Sequence, residues 1–184
     1  MTQHLPLDRI QAGIPSIREA PSGIGRLEMI VRRPAVNERE LLDAGTLDVV
    51  QGLAGDTWKD RGSSRTPDNT PHPDMQLTLM GVRVISLLAG ERSRWSLAGD
   101  QLFVDFDLSA KNLPAGTRLA IGSAVIEVTA QPHTGCGKFV ERFGVDAMKF
   151  VNSPEGRALN LRGINARVVQ GGEVRVGDHV QKMT

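Results

Sequence analysis

GDQLFVDFDLSAKNLPAGTRLAIGSAVIEVTAQPHTGCGKFVERFG, residues 99–144, changes its hydrophobic period once, and that change decides the fold. Leu102, Val104, Phe106 and Leu108 alternate with their neighbours, as do Leu119 with Ile121 and Ile126 with Val128 and Ala130. A period of two buries one face of a strand. Beyond Pro132 the spacing of Phe139, Val140 and Phe143 becomes helical, and VDAMKFV continues it with Ala147, Met148 and Val151. Further along, GINARVVQ and EVRVGDHV read as two strands that Gly171-Gly172 would join as a hairpin.

Upstream of this stretch the signals are sparser. Leu77 and Leu79 alternate in MQLTLM, and Leu27, Met29 and Val31 mark an earlier strand. Asn37 followed by Glu40 predicts either a capping box for a short helix over NERELLDA or a polar turn. Asp8 begins a short helical lead-in with Ile10, Ile14 and Ile17 on one face, which Pro15 interrupts and Pro21, Ser22 and Gly23 end. Residues 59–75, KDRGSSRTPDNTPHPDM, are polar and proline-rich and predict an exposed loop placed as a lid over the site. Many short strands with Gly and Pro between them give a mostly β, α+β chain, a barrel or sandwich with a few short helices. Its 184 residues suit one domain, residues 49–184, with residues 1–48 as an N-terminal extension packing on it.

Composition narrows the function classes. Lys and Arg number 22 against 21 Asp and Glu, and aromatic residues are 4% with no Tyr. Neither the charge nor the stacking surface of a nucleic-acid binder is present. The N-terminal residues lack a basic segment followed by an apolar core, and the longest apolar runs fall far short of a membrane span. One cysteine excludes an internal disulfide, a zinc finger and a cysteine-held iron–sulfur cluster. A free thiol without an export signal fits the cytoplasm.

G-x-S-x-G, P-loop and H-E-x-x-H patterns are all missing, so the single thiol is the chemical candidate. Cys136 follows a strand and starts a helix, between Gly135 and Gly137, which let a ligand approach closely. A helix N-terminus favours thiolate, Lys138 and Arg142 add positive charge nearby, and His133 is in reach as a proton partner. Three roles stay open: attack on an electrophile, carriage of a persulfide sulfur, or ligation of a soft metal that arrives with its own ligand. Arg162 and Arg167 flank the start of GINARVVQ and are suited to a phosphate.

Residues 99–144, followed by GINARVVQGGEVRVGD, resemble the MOSC family, named for the C-terminal domain of molybdenum cofactor sulfurases. An acidic strand, a GTRLAIGSAVIEVT pair, a proline, one cysteine before a helix with Lys and Phe, and a V-G-D close at Val176, Gly177 and Asp178 occur in the family's order. Gly52, Leu53, Ala54, Gly55 and Asp56 are similar to its G-[IL]-x-G-D motif. The resemblance implies a MOSC-like β-barrel handling molybdenum cofactor (molybdopterin) or its sulfur, as a reductase, a sulfur transferase, or a module that has lost the chemistry. It implies Cys136 as molybdenum ligand, basic side chains for the pterin phosphate, and a redox or sulfur-donor protein as partner. It further implies pyridoxal phosphate, for which Lys138 is the nearest lysine by position. The sequence departs from the family where PHTGC replaces PR-x-PC, with His133 in the arginine position, and where the His-Gly-Gly after the G-D motif is absent.

Overall fold

The computed structural model describes residues 4–184. Helices α1 (Leu7–Gln11) and α2 (Ile14–Arg18) precede strands β1 (Ile24–Arg32), β2 (Glu40–Leu42), β3 (Ala44–Asp48), β4 (Gly52–Leu53) and β5 (Leu77–Gly81). Helix α3 (Val82–Ala89) and a 3-10 segment (Arg92–Ala98) lead into β6 (Leu102–Asp105), β7 (Arg118–Ile121) and β8 (Ala124–Val128). Helices α4 (Gly137–Phe143), α5 (Val145–Asn152) and α6 (Pro154–Ala158) come before β9 (Ile164–Gln170), β10 (Gly172–Arg175) and β11 (His179–Lys182).

Seven strands close a barrel in the order β11-β7-β8-β9-β5-β6-β1, and β1 pairs back onto β11 with Ile24 opposite Gln181. All its pairings are antiparallel except β5 with β6. Parallel neighbours need a crossover, and α3 with the 3-10 segment supplies it. VRVISLLA, nearly all apolar, is therefore a helix; its run is too short for periodicity to separate helix from strand in the sequence.

Alternation sorts the side chains into two cores. Leu27, Leu79, Leu102, Val104, Ile126 and Ala166 fill the barrel. Met29, Val31, Met80 and Phe103 point outward from β1, β5 and β6, where Phe139, Phe143, Phe150 and the α3 side chains cover them. Ile10 joins this outer core, with Ile14 and Ile17 packed against it, and Pro15 starts α2 instead of breaking a longer helix.

Three sequence expectations are corrected. The strand at Leu27 belongs to the barrel, so residues 1–48 are not an extension resting on a finished one. Glu40–Leu42 is a strand on the free edge of β1, where Arg32 grips Glu40 Oε2 from Nε at 2.9 Å and Nη2 at 2.7 Å; Asn37, with φ of 66°, makes the turn. Gly171-Gly172 joins two strands that do not pair with each other. β10 pairs with β3 in a separate sheet β10-β3-β4, while β9 lies between β8 and β5. Among the described residues no helix is long and apolar enough to cross a membrane.

Candidate functional site

On the outer face of the barrel a cleft of about 340 Å3 opens beside α4. Cys136 is exposed at its edge, in the N-cap position of α4, and makes no capping hydrogen bond. Six cations line the cleft: Arg33, Arg39, Arg61, Lys138, Arg142 and Arg162. Two buried carboxylates stand behind them.

The first carboxylate is Asp56, the end of the G-D motif. It takes Arg33 Nε at 2.8 Å and Nη2 at 2.6 Å, a bidentate pair, and also accepts from the backbone of Arg33 and Trp58. Burial alone would raise its pKa, but the Arg33 guanidinium outweighs that and lowers it. Gln101, fully buried, ties this pair to β5 by accepting from Thr78 N and Oγ1.

The second is Asp100, fully buried just before β6. Its Oδ2 accepts from Arg162 Nη1 at 2.7 Å, and its Oδ1 lies 2.8 Å from His133 Nε2. Burial pushes the Asp100 carboxyl up, yet Arg162 and His133 prevail and hold it at about 2. Burial, with the Arg162 charge second, lowers the His133 pKa against the pull of Asp100. His133 is therefore neutral near pH 7. With Asp100 ionised, Nε2 carries the proton and donates, which leaves the Nδ1 lone pair free. Arg162 is fixed further by Ala98 O at 2.9 Å and by its stack on Phe139, 5.0 Å from the ring centroid.

The other four cations have no carboxylate partner among the described residues. Arg39 and Arg142 donate to backbone carbonyls of Ser96 and Leu97, and Lys138 donates to Asn37 Oδ1 at 3.3 Å. Desolvation and then repulsion from Arg142 and Arg33 lower the Arg39 pKa; desolvation and then Arg33 lower that of Arg61. Cations crowded closely enough to lower the proton affinity of Arg39 and Arg61 form a positive pocket that an anion relieves.

Of the residues singled out from sequence, Cys136, His133, Lys138, Arg142 and Arg162 come together here. Arg167 does not. It sits on the outward face of β9, as alternation with Ala166 and Val168 requires, but bonds Glu127 at 2.7 Å and Asp74 at 3.4 Å away from the cleft. The long polar loop contributes Arg61 to the cleft, and farther along it turns on itself, Thr66 Oγ1 bonding Ser63 O and Thr70 O. Arg33, Arg39, Arg61 and Asp100 were not foreseen. Consecutive Arg32 and Arg33 after an apolar strand, and an Asp just before another, were the available signals.

The MOSC domain family model matches residues 84–181, more than half of the chain. No curated protein matches. Among solved structures, the YuaD protein from Bacillus subtilis is 17% identical with a TM-score of 0.60, over 86% of this chain and 95% of that one. YiiM from Escherichia coli is 19% identical with a TM-score of 0.56, over 86% and 70%. YiiM from Geobacillus stearothermophilus is 12% identical with a TM-score of 0.53, over 87% and 73%. At these identities the likeness is one of fold, and with the family match over β6 to β11 and the cysteine-bearing helix, the chain belongs to the MOSC domain family.

Proposed function

We propose that the cleft holds the molybdenum cofactor, with its phosphorylated pterin on the cation wall and its metal at Cys136. The observation that carries this reading is the wall: Arg39, Arg61, Lys138 and Arg142, without carboxylate partners among the described residues, beside an exposed thiol. The family is linked to this cofactor in general. Arg and Lys bind phosphate oxygens, and a thiolate is a soft metal donor. Among the described residues no group of three or more His, Cys, Asp or Glu is arranged to hold a metal ion, so the metal comes with its own ligand.

Bound molybdenum supplies two-electron redox chemistry. Arg162 and Asp100 orient His133, whose Nδ1 accepts or returns a proton at the cleft wall. The chain has one cysteine and no resolving thiol, so electrons or sulfur come from a donor protein. The same exposed thiol supports a second reading, in which Cys136 carries sulfur. Pyridoxal phosphate would use the same cations, with Lys138 as its amine.

The test is metal analysis and mass spectrometry of protein from a cofactor-making host grown with molybdate. Molybdenum and pterin together in the native protein, with one fewer sulfur neighbour of molybdenum by X-ray absorption in Cys136→Ser, support the reading. A Cys136 heavier by one sulfur, without metal, selects the carrier. Phosphate binding with neither leaves a non-catalytic anion-binding module. Absorbance on adding pyridoxal phosphate, lost in Lys138→Ala, tests that cofactor.

A further inference from the structure

Arg61 differs from the other cations of the cleft. Arg39, Arg142 and Lys138 each donate to an oxygen of the protein, and Arg33 and Arg162 hold buried carboxylates. Arg61 is exposed, and its guanidinium has no acceptor among the described residues. Its place comes from the G-D motif. Asp56 caps the 3-10 turn Thr57–Asp60 by accepting from Trp58 N at 3.1 Å, and Arg61 N closes that turn on Trp58 O at 3.2 Å. Thr57 N donates to Arg33 O at 3.0 Å, so the turn is fastened to the cleft floor.

Arg61 also lines a second hollow, of about 160 Å3, together with Trp58, Pro71, His72 and Met75. No Asp or Glu lines it. The loop is built around it. Gly62 lets Asn69 pack directly against the backbone, where a Cβ would collide with it. Thr129 Oγ1 donates to Asp74 O at 2.6 Å, which ties the far arm, Pro73–Met75, to the barrel. The chain has five Phe and two Trp; the five Phe and Trp95 are buried, and Trp58 alone is not. An accessible indole beside an unengaged guanidinium offers one apolar and one cationic surface in the same hollow.

The charge of the cleft calls for a second anion. Arg39, Arg61, Lys138 and Arg142 have no carboxylate partner among the described residues, whereas one phosphate monoester carries only about two negative charges. We infer that the hollow takes the ring of a small aromatic acid, whose carboxylate accepts from Arg61. The assignment deepens the cofactor reading and rests on it for the division of the wall: cofactor phosphate at Arg39, Lys138 and Arg142, and an aromatic acid as substrate at Arg61 and Trp58.

Benzoate, benzamide and acetate separate the charge from the ring. In 15N-labelled full-length protein, the indole N–H signal that is absent from Trp58→Phe is expected to shift saturably with benzoate. Benzamide, which has the ring without the charge, and acetate, which has the charge without the ring, are each expected to bind about tenfold more weakly. Arg61→Gln is expected to bring benzoate down to the affinity of benzamide, and Trp58→Ala to bring it down to that of acetate. Benzoate and benzamide that bind alike, a Trp58 indole unmoved by benzoate in the native protein, or benzoate affinity unchanged in Arg61→Gln each overturn the inference, and native protein holding molybdenum and pterin keeps the cofactor reading in that event. Benzoate that behaves as expected on a protein that never acquires molybdenum or pterin overturns the cofactor reading and leaves the aromatic-acid site standing.

Discussion

The outer face of the barrel carries basic side chains in two places, and they differ in what stands opposite them. On β7 to β9, Arg118 and Arg167 share Glu127 at 3.1 and 2.7 Å, and Arg167 also reaches Asp74. In the cleft, the carboxylates are buried under Arg33 and Arg162, and four further cations face open space. The first patch is neutralised within the protein and exposed to screening water. The second holds charge in reserve over a partly desolvated floor. Residue type alone therefore does not mark an anion site; the count of carboxylates in reach does.

The sharpest way to break this contrast is at the floor. Asp100→Asn leaves buried Arg162 without its counter-ion and should cost about 3–5 kcal/mol in denaturant unfolding. Glu127→Gln should cost at most about 1 kcal/mol. The Asp100 contribution has a defined pH window. Its folded pKa is about 2 against an ordinary 3.8, so the stabilisation is present above about pH 4 and is lost as pH falls through 2. An Asp100→Asn protein that unfolds like the native one in denaturant would remove the floor from the account.

Next comes the wall. Lys138→Ala and Arg142→Ala should each weaken inorganic phosphate binding by about 1.5–3 kcal/mol, ten- to a hundred-fold, in calorimetry at low salt, and less at high salt. Arg167→Ala and Lys182→Ala should leave it unchanged within about twofold, since Arg167 is ion-paired and Lys182 is held by Asn112 O at 2.7 Å. Equal losses from the two regions would erase the distinction between them.

A smaller effect is expected from His133. Its pKa is lowered on folding, so the unfolded chain takes up the proton first as pH falls. Stability should be fully present above about pH 6.5 and decline below it, and His133→Gln should flatten that slope. An unchanged slope would mean that His133 titrates as in the unfolded chain. The least expected effect is on the thiol: alkylation of native Cys136 at pH 7 should run faster than that of free cysteine, and reaction only after denaturation would refute an accessible thiol beside cations.

Much of this frame is legible in the sequence because one-sided burial writes itself as alternation. Leu119 with Ile121 and Ile126 with Val128 name their strands, and Phe139 with Phe143 names α4. One element escapes for want of length: α3 is only eight residues, nearly all apolar, too short a run for its period to separate helix from strand. The glycine pair promised a local hairpin, but β10 found a better partner in β3, over a hundred residues earlier, with Val174 and Leu47 meeting the barrel core. The cleft was half visible. Cys136, His133 and Lys138 are neighbours in the chain and were found together. Arg33, Asp56 and Asp100 reach them only through long-range pairing of β1 and β5 with β6, which no local pattern encodes.

Closure of the barrel also sets an order of events. The seam joins β1 to β11, Gly25 opposite Val180. During synthesis β1 leaves the ribosome long before its last partner exists, and an unpaired strand edge invites pairing with another chain. Loop closure over so long a separation is slow, and a barrel full of such contacts folds late. The cleft joins Arg33, from just past β1, to Arg162, from just before β9, so its cation wall and floor are complete only once most of the chain has been made and folded. A newly made chain would thus acquire its capacity to hold an anion as one of its final folding steps, and the time to that step is a clock that refolding kinetics can read.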